Sequence, residues 1–202
     1  MKRLLIPTIL FISLLFSGTT FAQDNDTITL SLEQGYEMKI DGSANVRDWD
    51  ADVKQINATV EMKKFDTSDL STLTADHFKK LDLEIPVGNI ESDSRRLTNN
   101  LQDYLKKDQH PTITFRLNGV DSVELDGSNA NIKATGVLRV AGQEQTISMD
   151  VNAQINGNKV TFEGVQDLKM TDYGIDPPTA VMGTIRARDE IQIIYSLTFT
   201  VN

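Results

Sequence analysis

Three carboxylates at alternate positions, Asp48, Asp50 and Asp52, are the first residues whose type and spacing suggest chemistry. Alternating oxygen ligands open calcium loops of the EF-hand kind, which also need glycine at the sixth position and a bidentate glutamate at the twelfth. Here those positions hold Val53 and Thr59, so the pattern fails. On a strand the three carboxylates instead share one solvated face. Imidazole chemistry is limited to His77 and His110, and neither has a metal-ligand partner at recognisable spacing. His110 precedes Pro111 and reads as a helix-terminus residue rather than a base. No serine lies in a Gly-x-Ser-x-Gly elbow, and no glycine-rich loop could cradle a phosphate. Cysteine is absent, which removes disulfides, thiolate chemistry and a lipid-modified cysteine at a mature N-terminus. Arg95-Arg96, Lys106-Lys107 and Arg186/Arg188 read as surface charge. What remains to carry function is apolar.

The apolar residues follow the period of strands. In the stretch Ala130 to Ile155, Ile147, Met149, Val151, Ala153 and Ile155 alternate with polar residues. Ile132, Ala134, Gly136, Leu138 and Val140 do the same before a tight turn at Ala141-Gly142, with Val137 breaking the pattern. Such a hairpin must bury its apolar face, as one wall of a sandwich or barrel. Ile28, Leu30 and Leu32 mark an earlier strand, though its pairing partner is not visible. A turn at Glu33-Gln34-Gly35 leads to Tyr36, Met38 and Ile40. Asn45 to Met62 reads as a long strand with Trp49 near its start. Its apolar register slips between Val53 and Ile56, which predicts a bulge near Lys54-Gln55.

Lys63 to Ala75 reads as a rim loop or flap, and Leu81 to Val87 as a strand whose pairing Pro86 limits. Leu97, Leu101, Tyr104 and Leu105 fall on one face of the single good helix, Ser92 to Lys107. Ser92 or Ser94 would cap it, Lys106-Lys107 would suit its C-terminal dipole, and His110-Pro111 would stop it. Ile113, Phe115 and Leu117 begin a strand ending near Asn118-Gly119, and turns follow at Asp126-Gly127 and Asn156-Gly157. Val160 and Phe162 share a face with Leu168 and Met170, with a kink expected at Gly164. Thr171 to Met182 is a structured loop, and Ile191 to Val201 is the last strand. The count is about eight strands and one helix, the pattern of an antiparallel barrel or sandwich. An eight-stranded barrel is the size at which side chains either close the interior or leave room for one small ligand.

The chain of 202 residues is long enough for one domain with a sizeable core. It opens with Lys2-Arg3, an apolar run from Leu4 to Phe16, and small residues to Ala22. That is the layout of a secretory signal, too short to span a bilayer, with cleavage expected after Ala22. Residues 23–202 would then form one barrel domain. The net charge is −9, and loss of Lys2 and Arg3 makes it −11. An acidic domain repels phosphate backbones and anionic surfaces, so no nucleic-acid partner and no stable membrane insertion are expected.

Four stretches together resemble the YceI-like family. They are Gly42-Ser43-Ala44-Asn45-Val46-Arg47-Asp48-Trp49, Leu101 to Leu105 leading into His110-Pro111-Thr112-Ile113-Thr114-Phe115, Gly136 to Gly142 followed by Ile147, and Lys169 to Ala180 followed by Gly183-Thr184-Ile185 and Asp189-Glu190-Ile191. The first looks like the motif of the family's Bacteroidetes-type branch. The resemblance runs from about Ile40 to the end. It implies an all-β fold, an eight-stranded antiparallel lipocalin-like barrel with one amphipathic helix. It further implies a periplasmic or secreted, non-enzymatic protein that holds a polyisoprenoid or similar long-chain lipid in the barrel, for storage or transport. The chain departs from the family in the helical segment, where Tyr104 is the only aromatic residue.

On this reading the lining comprises Phe115, Leu138, Met149, Val151, Phe162, Ile193, Tyr195 and Phe199, with Tyr173 in the loop framing one mouth. No catalytic residue, metal or cofactor is expected apart from a bound isoprenoid lipid. The partner is that lipid, with a homodimer as a further arrangement to test. Two rivals stand beside this reading: an interaction module with a filled core, and an enzyme acting on a lipid.

Overall fold

Period-two burial recurs along nearly every strand of the computed structural model, which describes residues 26–66, 70–127, 129–180 and 182–201. The segment expected to be a secretory signal, residues 1–22, lies outside the described residues. The elements are β1 (Thr27–Leu32), β2 (Glu37–Ala44), β3 (Trp49–Val53), β4 (Asn57–Lys63), β5 (Phe78–Pro86) and β6 (Ile90–Glu91), then the helix α1 (Arg95–Tyr104). After it come β7 (Thr112–Asp126), β8 (Asn129–Val140), β9 (Gln143–Asn156), β10 (Lys159–Lys169), β11 (Thr179–Ala180) and β12 (Ile185–Val201).

Three strand paths are each broken by a kink: β1 with β2, β3 with β4, and β5 with β6. β1 pairs with β4 and β2 with β3, while β4 pairs with β5 and β3 with β6. The meander continues β5–β7–β8–β9–β10–β12. β12 closes it, pairing with β10 on one edge and with β2 and β1 in succession on the other. The result is a closed antiparallel barrel of eight strand paths with, among the described residues, a single α-helix, as expected. The turn after β2, the turn at Ala141-Gly142, α1 and the segment after β10 gather at one end. The long connection after β4 and the turns at Gly127 and Gly157 gather at the other.

Local expectations give way where long-range contacts override them. Asn45 to Met62 is not one bulged strand: pairing stops after Val53 and resumes at Asn57. The Tyr36 hydroxyl holds the break open, donating to the Lys54 carbonyl at 3.3 Å and accepting from the Ile56 N–H at 2.9 Å. β7 does not end at Asn118-Gly119 but runs on to Asp126, absorbing the glycine as a register shift against β8. The β8 ladder supplies more hydrogen bonds than a local turn could.

The helix is shorter than its apolar pattern. Ser94 caps it by accepting from the Leu97 N–H, and it ends at Tyr104, well before Pro111, with Lys106 in the left-handed region at φ 56°. Lys106 and Lys107 do not cap the helix dipole. Lys107 Nζ donates to Gln102 Oε1 at 2.7 Å, and Lys106 Nζ reaches the Gly174 carbonyl at 3.5 Å. Gln102, only 8% exposed, in turn donates to the carbonyls of Gly88 and Ile90. This buried amide fastens α1 across the kink between β5 and β6.

Candidate ligand cavity

The inward residues of the barrel do not fill it. They surround an apolar cavity with about 230 Å³ open to the centre of a water-sized sphere. One water needs only about 10–15 Å³ on that measure, and apolar walls hold water poorly. All nine residues expected at the site lie on its lining: Phe115, Leu138, Met149, Val151, Phe162, Tyr173, Ile193, Tyr195 and Phe199. Period-two alternation brings them together, since each stands on the inward parity of its strand or, for Tyr173, in the turn that follows β10. Trp49, Leu101, Leu105 and Gln166 line the cavity as well and were missed as site residues. Strand parity could have found Gln166, which shares a face with Phe162 and Leu168.

Burial grades along three adjacent strands. On β12, Ile191 and Ile193 are half-buried, whereas Leu197 and Phe199 are 4% and 1% exposed. On β9, Ile147, Met149 and Val151 are half-buried and Ala153 is sealed. On β10, Val160 is buried, and Phe162 and Leu168 are not. This side of the barrel is thus packed at the end away from the helix, where Phe199 meets Phe162 edge to face at 5.8 Å, and hollow toward α1.

The wall is also incomplete. The β9–β10 ladder runs only from Asn156/Lys159 to Asn152/Glu163. Beyond it β9 stays with β8 and β10 with β12, so the two strands part beside Met149, Gly164 and Gln166. The turn Met170–Tyr173 lies over this seam, tied by Gln145 Nε2 to the Asp172 carbonyl at 2.7 Å. Asp189 holds the same turn, accepting from the Thr171 hydroxyl at 2.7 Å and the Thr171 N–H at 2.9 Å. Those bonds, the hydroxyl's foremost, keep the Asp189 carboxyl below its usual range. A second seam opens between β5 and β7, whose ladder covers only Asp82 to Pro86.

Aromatic rings lie across the neighbouring strand wherever that strand offers an inward glycine. Trp49 covers Gly42, Phe115 covers Gly136 and Tyr195 covers Gly164, each ring occupying the place a Cβ would need. A glycine is required at all three positions for that close approach.

Polar groups are sparse. The Asp48-Asp50-Asp52 face is solvated, with Asp50 3.3 Å from Lys39 and Asp52 2.6 Å from Lys54. Among the described residues no cluster of His, Asp and Glu could hold a metal ion. Outside the cavity a polar cleft carries Asp41, Asp48, Asp50, Asp167, Asp172 and Glu190 against Lys39 and Lys169. Burial pushes the hydroxyls of Tyr173 and Tyr195 up to about 12, and the Asp172 carboxylate adds to it at Tyr173.

Raised values mean that the folded state keeps protons which the unfolded chain releases near 10. The stability these tyrosines contribute is therefore complete below about pH 10 and lost as pH rises toward 12. A tyrosinate absorbance titration followed alongside melting should show two late-ionising tyrosines and alkaline unfolding. All four tyrosines ionising together near 10 in the folded protein would contradict it.

The model of the YceI-like domain matches residues 19–199. The chain belongs to the YceI-like domain family. None of the curated proteins matches it. Among solved structures it is similar to BcnA of Burkholderia cenocepacia, at 20% identity and TM-score 0.61 over 81% of this chain and 95% of that one. A polyisoprenoid-binding domain from Saccharophagus degradans gives 11% identity and TM-score 0.62 over 87% and 98%. The YceI protein of Campylobacter jejuni gives 22% and 0.57 over 75% and 84%. At these identities the likeness is one of fold, and the YceI-like barrel described here is that fold. No helix among the described residues is long and apolar enough to cross a membrane.

Proposed function

We propose that this YceI-like protein binds a polyisoprenoid or similar long-chain lipid inside its barrel, without catalysing a reaction on it. The observation that carries the reading is the hollow apolar half of the barrel. Met149, Val151, Ile191 and Ile193 face the cavity half-buried, so their surfaces lack the contacts that a core side chain makes. A hydrocarbon guest would supply those contacts. Each buried methylene is worth about 0.8 kcal/mol, so a few isoprene units outweigh an association cost of roughly 4–15 kcal/mol. The polyisoprenoid-binding neighbour supports the same ligand class. A filled-core module would leave these liners without a use, and the described lining offers a lipid-processing reaction no nucleophile with its base.

Export belongs to the same proposal, with the mature chain starting at Gln23 and working in the periplasm or outside the cell. One experiment on protein purified from its native source tests both parts. Solvent extraction and mass spectrometry should release a long-chain lipid, and intact mass should place the N-terminus at Gln23. Protein that is lipid-free by extraction and takes up no lipid in vitro would refute binding. Retention of residues 1–22 would refute processing.

A further inference from the structure

The cavity is apolar, yet two of its polar side chains, Tyr195 and Gln166, stand close together at the β9–β10 seam. Tyr195 is 9% exposed, and its ring lies across β10 with the hydroxyl over Gly164. That hydroxyl makes no hydrogen bond to a described residue, and burial alone pushes its pKa up. By contrast, the Tyr36 hydroxyl both donates and accepts. Unlike the Tyr173 hydroxyl, which is sealed in and unpaired, the Tyr195 hydroxyl lines the cavity within reach of a guest oxygen. Gly164 is the first β10 residue beyond the β9 ladder, so this hydroxyl sits where the wall opens. Gln166 faces inward two residues further on, about 7 Å along the strand. Its Nε2 makes one bond, to the Asp167 carbonyl at 3.1 Å, which leaves a second N–H and its carbonyl oxygen.

We infer that the guest is an amphiphile whose uncharged oxygen, an alcohol or carbonyl, is seated at this seam between Tyr195 and Gln166. The inference rests on the lipid-binding reading and narrows its ligand. Tyr195 donates to the guest oxygen, and Gln166 accepts from a guest hydroxyl or donates to a carbonyl. The isoprenoid chain then runs along Met149, Val151 and Ile193 into the hollow half.

A charged head group fits neither side of the wall. Among the described residues the one cation on the lining, Lys80, is committed to Asp82 at 3.5 Å and Glu61 at 3.8 Å. The polar cleft adjoining the seam shares Ile147, Leu168 and Tyr173 with the cavity and sets six carboxylates against two lysines, which repels a phosphate or carboxylate head.

The test loads delipidated protein from an equimolar mixture of a long-chain prenyl alcohol, the hydrocarbon of the same chain length and the prenyl diphosphate, then extracts and quantifies what is bound. Wild type should favour the alcohol. Tyr195→Phe keeps the ring over Gly164 and removes only the oxygen. It should lose roughly threefold to tenfold in affinity for the alcohol and keep the hydrocarbon within about twofold. If Tyr195→Phe does not fold, Gln166→Leu carries the same comparison. Equal losses for alcohol and hydrocarbon, unchanged preference in both variants, or preference for the diphosphate would each overturn this inference while leaving lipid binding intact. Failure of wild type to take up any of the three would overturn the lipid-binding reading itself.

Discussion

Met149→Asp should give a folded barrel that holds no lipid, whereas Ser148→Asp should be indistinguishable from wild type. The two positions are adjacent on β9. Met149 pairs with Ala134 and faces the cavity, and Ser148 pairs with Thr135 and faces solvent. A carboxylate set against hydrocarbon costs several kcal/mol or stays protonated, and either outcome expels an apolar guest. The fold survives because Met149 borders a void that water can enter beside the new acid. At Ser148 the same side chain stays hydrated, so the change lies within about 0.5 kcal/mol. Thermal melting and lipid extraction read both. A Met149→Asp protein still loaded with lipid would show that the guest does not reach β9, and an unfolded one would show that this half of the barrel is packed solid.

The second large effect separates the packed end from the hollow end. Phe199→Ala should cost about 3–5 kcal/mol, because the ring is 1% exposed and packs edge to face on Phe162. For a domain of this size that is a fall in melting temperature on the order of 10 °C. Ile193→Ala, on the same face of the same strand, should cost much less in lipid-free protein, since its side chain already borders empty space. With lipid bound the gap should narrow, because Ile193 then gains a partner that alanine cannot replace. Equal losses at Phe199 and Ile193 in lipid-free protein would contradict the graded burial along β12.

The strands and the lining were legible for one reason: alternation writes the inward face directly into residue parity. Met149 and Val151, or Ile193 and Tyr195, could be placed without knowing what they face. The closure of the barrel was not legible, because β1 meets β12 across most of the chain and nothing local to Ile28–Leu32 names Val201 or Phe199 as a partner. The break after Val53 left only a slip of register in the sequence. Its cause, the Tyr36 hydroxyl, lies 20 residues before Ile56. Gln102 was invisible because a polar residue beside Leu101 reads as solvent-facing until the kink it bridges is known. The seams that open the wall are a matter of which ladders stop early. They carry no composition signal, so Gln166, plain in parity, went unread as a site residue.

The glycines at 42, 136 and 164 have a consequence for how such a barrel can change its cargo. Because each ring lies in the space that a neighbouring side chain would have filled, the bore of the lumen is set at positions that contribute nothing to its surface. Restoring a side chain at Gly164 would swing Tyr195 off the wall and into the channel, narrowing it by the bulk of an aromatic ring through the addition of a few atoms, whereas at Gly136 the added atom would also press on the Arg116 carbonyl of the neighbouring strand. At Gly164 the calibre of the container can therefore be altered in a large step by a small substitution, with the outer face and the ring-bearing residue itself left as they are.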